Sequence, residues 1–477
     1  MSSLLQSPFM EDTIAEIVPD VAKVAGKLSA SSVMTARRRV RLVPQSGQNY
    51  TVTGAGGANT VNILIQDGQA YADLLSAVLS FEVDVSGAGV SLDDGAYSVF
   101  RRALVSVNST LMDDIDFLPK KVNAEMYATV SQDWYNSVGS MMGCWKHNTT
   151  VYGTNDISGT GFIDKYSVAA KQALVAPVQK TGNGKNKFFV PVCMLSSFFR
   201  NEMLFPLRNA GQLYLQLNLA SASEACIGAA TSFSIKNLTL EMDFVDLHPT
   251  YLAMMDEIME RPDEDGVRWA FDAHLVASQN YSGAGIQSVI ISKASQNLRA
   301  IQTVVQPQAG LSAPAYPKQS TFANPGFQSI QVRIGSLYYP AFVSLGEHRA
   351  FADLQNAFGS PASLDKAGIV DLQNYYNATL DGTGAMAVAP YNGGLAGTGA
   401  PYQAYSDAFM WAYCFDKLKH ATLKGIDLDG VNTLTSSGSQ IVVQLDQNNA
   451  IGNALLTGIV RFTRVLEIKG GATRVIG

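Results

Sequence analysis

Five histidines are the first place to look for chemistry in this 477-residue chain: His147, His248, His274, His348 and His420. A metal-dependent β-barrel enzyme needs a His-x-His pair with further His and Glu ligands, because clustered imidazoles and carboxylates hold a catalytic transition metal. Here the histidines stand singly, with no x or x3 spacing between any two. Cys144, Cys193, Cys226 and Cys414 are scattered without a CxxC pair. Neither a zinc site nor a disulfide framework is indicated, and a reducing compartment fits best. The nearest approach to a phosphate loop, "TGNGKN" at 181–186, has the wrong glycine spacing and carries Asn186 where a Ser or Thr would meet magnesium. "TGAGGANT" at 53–60 lacks the strand-then-helix frame of a dinucleotide site and reads as a hairpin turn. Asp113, Asp114 and Asp116 could gather a cation, but a solvated turn is the simpler assignment. No nucleophile, base and orienting group come together. The expectation is a non-enzyme with no catalytic residue, no cofactor, no metal and no small-molecule substrate.

The frame that positions these residues is β-rich. Hydrophobic residues make up 47% of the chain, charged residues only 16%, and there are 41 glycines, which describes a globular protein with a large core. So low a charge fraction points to an outer surface covered by other subunits. A net charge of −6 argues against a dedicated nucleic-acid binder, whose basic stripe would dominate the balance. Positive charge is concentrated in "ARRRVRL", at Arg37, Arg38, Arg39 and Arg41. This reads as a solvated or inter-subunit salt-bridging cluster in preference to contact with packaged nucleic acid.

Two distant stretches share one pattern. In "GQLYLQLNL" (211–219), Leu213, Leu215, Leu217 and Leu219 alternate with Tyr214, Gln216 and Asn218; in "SQIVVQLDQ" (439–447), Ile441, Val443 and Leu445 do the same. Period 2 is the signature of a strand with one buried face. Each copy is followed by a second long alternating run, "SFSIKNLTLEMDFVDL" at 232–247 and "TGIVRFTRVLEIKGG" at 457–471. The length of the chain exceeds the size at which single cores stop growing, so two similar β units in tandem are expected. Many short strands with long excursions between some of them suit a sandwich with Greek-key connections.

The expected organisation is an arm at 1–40, a first β unit at 41–248, a linker helix at 249–266 and a second unit at 267–477. In the arm, Ile14, Ile17, Val18, Val21, Val24 and Leu28 share one helical face, with acids near its start and lysines near its end. Such a piece has no core of its own and reads as a segment that docks on a neighbouring subunit or a membrane surface. Strands are expected at "RRVRLVP", "NTVNILIQ", "LSAVLSFEVDV", "RRALVSVNSTLM", "KFFVPVCML" and "FQSIQVRIGSLYYP", and helices at 119–138, 348–359 and 365–377. The start of the chain does not read as a signal peptide, and the longest apolar stretch, 188–199, is too short to span a bilayer. A soluble protein made in the cytosol is therefore expected.

The residues then carry a resemblance. "VPVCMLSSFFRNEMLFPLRNAGQLYLQLNLAS" resembles a stretch of double jelly-roll major capsid proteins, and "NPGFQSIQVRIGSLYYP" and "IDLDGVNTLTSSGSQIVVQLDQ…RFTRVLEIKGG" resemble their second jelly roll, as in Polinton-like viruses, virophages and related dsDNA viruses. The resemblance implies an all-β fold of two tandem jelly-roll sandwiches with short helical insertions and the N-terminal helical arm. It implies a homotrimeric, pseudo-hexagonal capsomer tiling an icosahedral capsid, located in the virion. Its partners would be other copies of itself, penton and minor capsid proteins, and an internal membrane or packaged DNA at the base. Ile14, Ile17, Val21, Leu28, Arg37, Arg38, Arg39 and Arg41 would then make inter-capsomer or inner-face contacts. A carbohydrate-binding sandwich using Trp134, Tyr135 and Trp145, a metal-dependent jelly-roll enzyme and a spike or penton subunit are the competing readings.

Overall fold

The computed structural model describes residues 34–53, 59–68, 70–86, 91–144, 187–227, 230–260, 267–292, 297–308, 311, 318–358, 368–370, 375, 408–415, 422–423, 426–427, 431, 433, 440–447, 453–469 and 472–476. The arm helix lies outside them, as does most of the helix expected at 365–377.

In the first half the strands are β1 (Met34–Leu42), β2 (Tyr50–Thr53), β3 (Thr60–Ile65), β4 (Tyr71–Ser86), β5 (Ser91–Leu92), β6 (Phe100–Val107), β7 (Thr110–Ile115), β8 (Lys187–Pro191), β9 (Leu213–Leu219), β10 (Cys226–Ile227) and β11 (Ser232–Leu247). The second half holds β12 (Val267–Tyr281), β13 (Gly285–Ser292), β14 (Leu298–Pro307), β15 (Phe327–Ile334), β16 (Leu337–Leu345), β17 (Met410–Cys414), β18 (Thr422–Leu423), β19 (Ile426–Asp427), β20 (Gln440–Gln447), β21 (Ala454–Lys469) and β22 (Ala472–Ile476). Three helices of twelve residues punctuate them: α1 (Leu118–Thr129), α2 (Pro249–Glu260) and α3 (Gly346–Ala357).

The first half forms one sheet in the order β1-β11-β4-β8, with β2 also on β11, and a facing sheet β3-β9-β6-β7. In the second half the orders are β12-β21-β14-β17 and β13-β20-β15-β16. Counting the principal strands of each half from one to eight, with β1 and β2 sharing the first position, both halves give the same two sheets, 1-8-3-6 and 2-7-4-5. Two antiparallel four-stranded sheets connected this way are a jelly roll, and the chain contains it twice. The twin stretches of the sequence are β9 and β20, the seventh strand of each sandwich. The long runs that follow them are β11 and β21, the eighth strand of each.

Side-chain alternation sets the register. Leu213, Leu215, Leu217 and Leu219 of β9 are buried while the residues between them are half-buried, and Leu215 lies opposite Ile63 on one side and Val105 on the other. A shift of one residue would turn all four leucines outward. In the second sandwich Val443 of β20 lies between Val289 and Val332 in the same way.

Three expected strands differ. "RRALVSVNSTLM" is a hairpin, because Asn108 and Ser109 both take positive φ (45° and 67°) and so form the turn that suits strand twist. "FQSIQVRIGSLYYP" is likewise a hairpin, turning at Gly335 with φ 59°. "KFFVPVCML" stops being a strand at Pro191 and continues as one helical turn, Val192–Leu195.

Candidate assembly surfaces

The first surface is the one on which the two sandwiches meet. Phe117, in a left-handed conformation, turns the chain out of β7, and Pro119 sits in the first turn of α1, where its missing N–H costs nothing. An isolated amphipathic helix would leave one face to water. Instead every residue from Leu118 to Ala128 is buried, including Lys120, Lys121, Asn123 and Glu125, because the second half covers what the first leaves open. Asn123 Nδ2 donates to the carbonyl of Gln319 (3.0 Å), and Gln302 Nε2 donates to the carbonyl of Ala124 (2.9 Å). A Cβ on Gly368 would lie 2.7 Å from the Tyr127 and Ala128 carbonyl oxygens, so Gly368 packs directly on the end of α1.

Beside the helix, Asp113 on β7 is buried and accepts from the Ser196 hydroxyl (2.6 Å) and from the backbone N–H of His274 on β12 (3.2 Å). Burial pushes its carboxyl above the ordinary value. Asp93 accepts from the backbone N–H of Gln319 (2.6 Å) and the Ser320 hydroxyl (2.5 Å). Arg464 on β21 donates to the Met112 carbonyl at 2.5 Å. Lys121 and Arg200 both pair with Glu125, the former at 2.8 Å. Burial alone would raise the Glu125 carboxyl, but these two cations outweigh it and hold it well below its ordinary range. Desolvation and the nearby Lys121 keep His274 neutral.

Aromatic packing closes the same junction. Phe205 meets Trp269 edge-on at 5.1 Å and Phe198 meets Phe271 at 5.0 Å. The apolar core is continuous from one sandwich to the other. A junction combining ring packing with a buried, hydrogen-bonded polar network fixes one relative orientation.

The acidic cluster of the sequence is therefore not a solvated turn. Asp113 is buried at the junction, Asp114 pairs with Arg102 (2.5 Å) and Asp116 lies 3.5 Å from Arg101. Periodicity could not show this, since the partners of Asp113 lie at positions 196 and 274. A cavity of about 290 Å³ opens at the edge of the junction, lined by Arg101, Phe117, Lys120, Glu224, Lys318 and Gln319 among others. Lys120 lies over the Phe117 ring at 5.1 Å, and burial lowers its ammonium to about 8.

The second surface is the edge carrying β1, where Arg37, Arg38, Arg39 and Arg41 sit in one strand that is exposed over most of its length. Each guanidinium faces a carboxylate of its own chain: Arg37 and Arg39 reach Asp243 at 2.6 and 2.9 Å, Arg38 reaches Asp67 at 2.5 Å and Arg41 reaches Glu241 at 2.7 Å. The hydrogen bond from Arg39, with that from Arg37, lowers the Asp243 carboxyl against the opposing effect of its burial. Cross-strand pairing of β1 with β11 places these charges together. Ile14, Ile17, Val21 and Leu28 lie outside the described residues.

The third surface was not singled out from the sequence. β16 is the outer strand of its sheet, and Leu337, Tyr338, Phe342, Val343 and Leu345 are exposed, Phe342 by 89%. Only the hairpin turn at Gly335 could have revealed it, by showing that "LYYPAFVSL" is an edge strand.

Of the aromatic trio, Tyr135 is buried and donates to Asp94 (2.7 Å), Trp134 packs against the core, and Trp145 lies outside the described residues. Among the described residues no three His, Cys, Asp or Glu side chains are grouped to hold a metal ion. Cys144 and Cys226 are free and buried, and burial raises their thiols.

No protein-family model matches the sequence, and no curated protein does. Solved structures do match in three dimensions. The Faustovirus major capsid protein superposes with a TM-score of 0.51 at 10% identity, covering 98% of this chain and 99% of that one. The quasi-atomic model of the PBCV-1 virus capsid gives 0.50 at 13% identity over 94% and 98%. PBCV-1 VP54, fitted into a reconstruction of the virophage Sputnik, gives 0.50 at 10% identity over 94% and 98%. The repeated strand order, the shared junction and this full-length superposition converge: the chain has the double jelly-roll fold of viral major capsid proteins.

Proposed function

We propose that this chain is a major capsid protein of a dsDNA virus and that its role is structural. Three copies close into a pseudo-hexagonal capsomer, and capsomers tile an icosahedral shell. The observation that carries this reading is the duplication itself: one chain holds two sandwiches of identical strand order, locked side by side by a buried helix. Threefold closure of such a chain yields six similar units around one axis, and cyclic closure hides sheet edges that would otherwise template uncontrolled pairing. Stability between subunits then comes from apolar burial at roughly 25 cal/mol per Å², less the cost of association.

In this reading the domains are the arm, expected at 1–40 but shortened because β1 (Met34–Leu42) already pairs with β11 in the first sandwich, the first sandwich to 248, the connector at 249–266 and the second sandwich at 267–477. The arm and the arginine edge serve contacts between capsomers or with the shell's inner contents. Penton and minor capsid proteins are the further partners, and the virion is the location. Light scattering of the purified protein tests the proposal: the expected mass is that of three chains, with hexagonal outlines in negative stain. A monomer at all concentrations, with no assembly, overturns it.

A further inference from the structure

The cavity at the edge of the junction holds a charge that the chain does not answer. Lys120, the third residue of α1, is only 3% exposed and helps line this space of about 290 Å³. Among the described residues its ammonium has no hydrogen-bond acceptor and no ion pair. It meets the Phe117 ring at 5.1 Å, and the Arg101 guanidinium lies over the same ring at 5.4 Å. Attraction to a ring is weak beside the cost of taking an ammonium out of water. Burial accordingly lowers Lys120 to about 8.

The carboxylates near enough to act on Lys120 are engaged elsewhere. Glu224 gives Oε1 to Arg101 (3.3 Å) and Oε2 to the N–H and hydroxyl of Ser221 (3.1 and 3.0 Å), closing the capping box of the turn Ala222–Ala225. Asp93 takes the Gln319 N–H and the Ser320 hydroxyl. Asp116 takes the Phe117 N–H and lies beside Arg101. A buried cation whose neighbouring countercharges are spent is stabilised by an anion supplied from outside.

The lining selects the kind of anion. Arg101 is exposed and Lys318 half-buried, so Lys120 is the deepest of three cations around the space. Lys318 donates to the Ser223 carbonyl at 2.7 Å and keeps further N–H donors for a guest. Glu224 stands in the same wall and repels a doubly charged phosphate more than a single carboxylate. Phe117, Leu311 and Leu455 make much of the remaining lining apolar. The volume is at the small end of ligand pockets, with room for a body of roughly six to ten carbons.

We propose that this cavity binds a small monocarboxylate with an apolar body, its carboxylate on the Lys120 ammonium and its body against Phe117, Leu311 and Leu455. The inference concerns a single chain and stands independently of the capsomer reading.

Calorimetric titration of the full-length protein at neutral pH with octanoate, octanol and inorganic phosphate tests it, beside a Lys120→Met variant that keeps an apolar stem and removes the charge. The expected result is one octanoate per chain, bound roughly tenfold or more weakly by the variant, while octanol binds the variant at least as well as the native chain. A second measurement needs no variant. Reductive methylation with formaldehyde and borohydride, read by peptide mass spectrometry, should label Lys120 in the free protein, and octanoate should suppress labelling there but not at the exposed Lys187. Absence of saturable octanoate binding, equal affinity in both proteins, or tighter binding of phosphate than of octanoate overturns the inference. So does a Lys120 that octanoate leaves unprotected, or one that stays unlabelled in the free protein because the chain itself covers it.

Discussion

Asp113 accepts the backbone N–H of His274 at 3.2 Å, so a carboxylate on the fifth strand of one sandwich is bonded to the first strand of the other. Its second oxygen takes the Ser196 hydroxyl. One buried side chain thereby ties together three segments far apart in sequence.

Replacing it separates charge from hydrogen bonding. Asp113→Ala leaves the His274 N–H and the Ser196 hydroxyl buried without an acceptor, a loss of roughly 2 kcal/mol or more. Asp113→Asn keeps an acceptor and removes a carboxylate that burial already disfavours. Calorimetry should show a lower melting temperature for the alanine variant and a nearly unchanged one for asparagine; equal losses would contradict the assignment.

Glu125 is held by Lys121 and Arg200. Glu125→Gln leaves two cations at the junction without their countercharge, at a cost of roughly 3–5 kcal/mol. The folded carboxyl titrates well below its ordinary value of 4.5, so its contribution is complete above that value and is lost as pH falls through the lower folded value. Urea midpoints measured against pH should fall below about pH 4.5 for the native chain and be flatter for the variant.

Lys120 gives the opposite sign. Its folded value near 8 lies below the ordinary 10.5, so the unfolded chain binds its proton more tightly, and stability rises between those two values. Below pH 8 the buried ammonium costs roughly 3 kcal/mol. Lys120→Met should therefore raise the melting temperature at pH 7, with the gain shrinking as pH climbs towards 10. A variant less stable at pH 7 would show that the lysine holds a stabilising partner at the cavity.

Removing residues 1–30, and with them Ile14, Ile17, Val21 and Leu28, should leave trimers intact and impair shell assembly. Sedimentation of assembly mixtures measures this directly. Undiminished shell yield would remove the arm from the mechanism.

The duplication and the strand alternation were legible in the sequence, because each depends on neighbours along the chain. Period-2 leucines in β9 and the alternating Ile441, Val443 and Leu445 in β20 declare a buried face wherever they are placed. The hairpins at Asn108 and Gly335 were hidden inside apparent single strands, since a turn of two residues barely interrupts an alternating pattern. What only the tertiary structure decided is which charged residues go inside. Lys120, Lys121, Glu125 and Asp113 look like surface residues until the second sandwich closes over them, and the β1 arginines look free until β11 brings Asp243 and Glu241 alongside. Burial and pairing of these groups depend on partners up to about two hundred positions away, and no local pattern encodes a contact of that range.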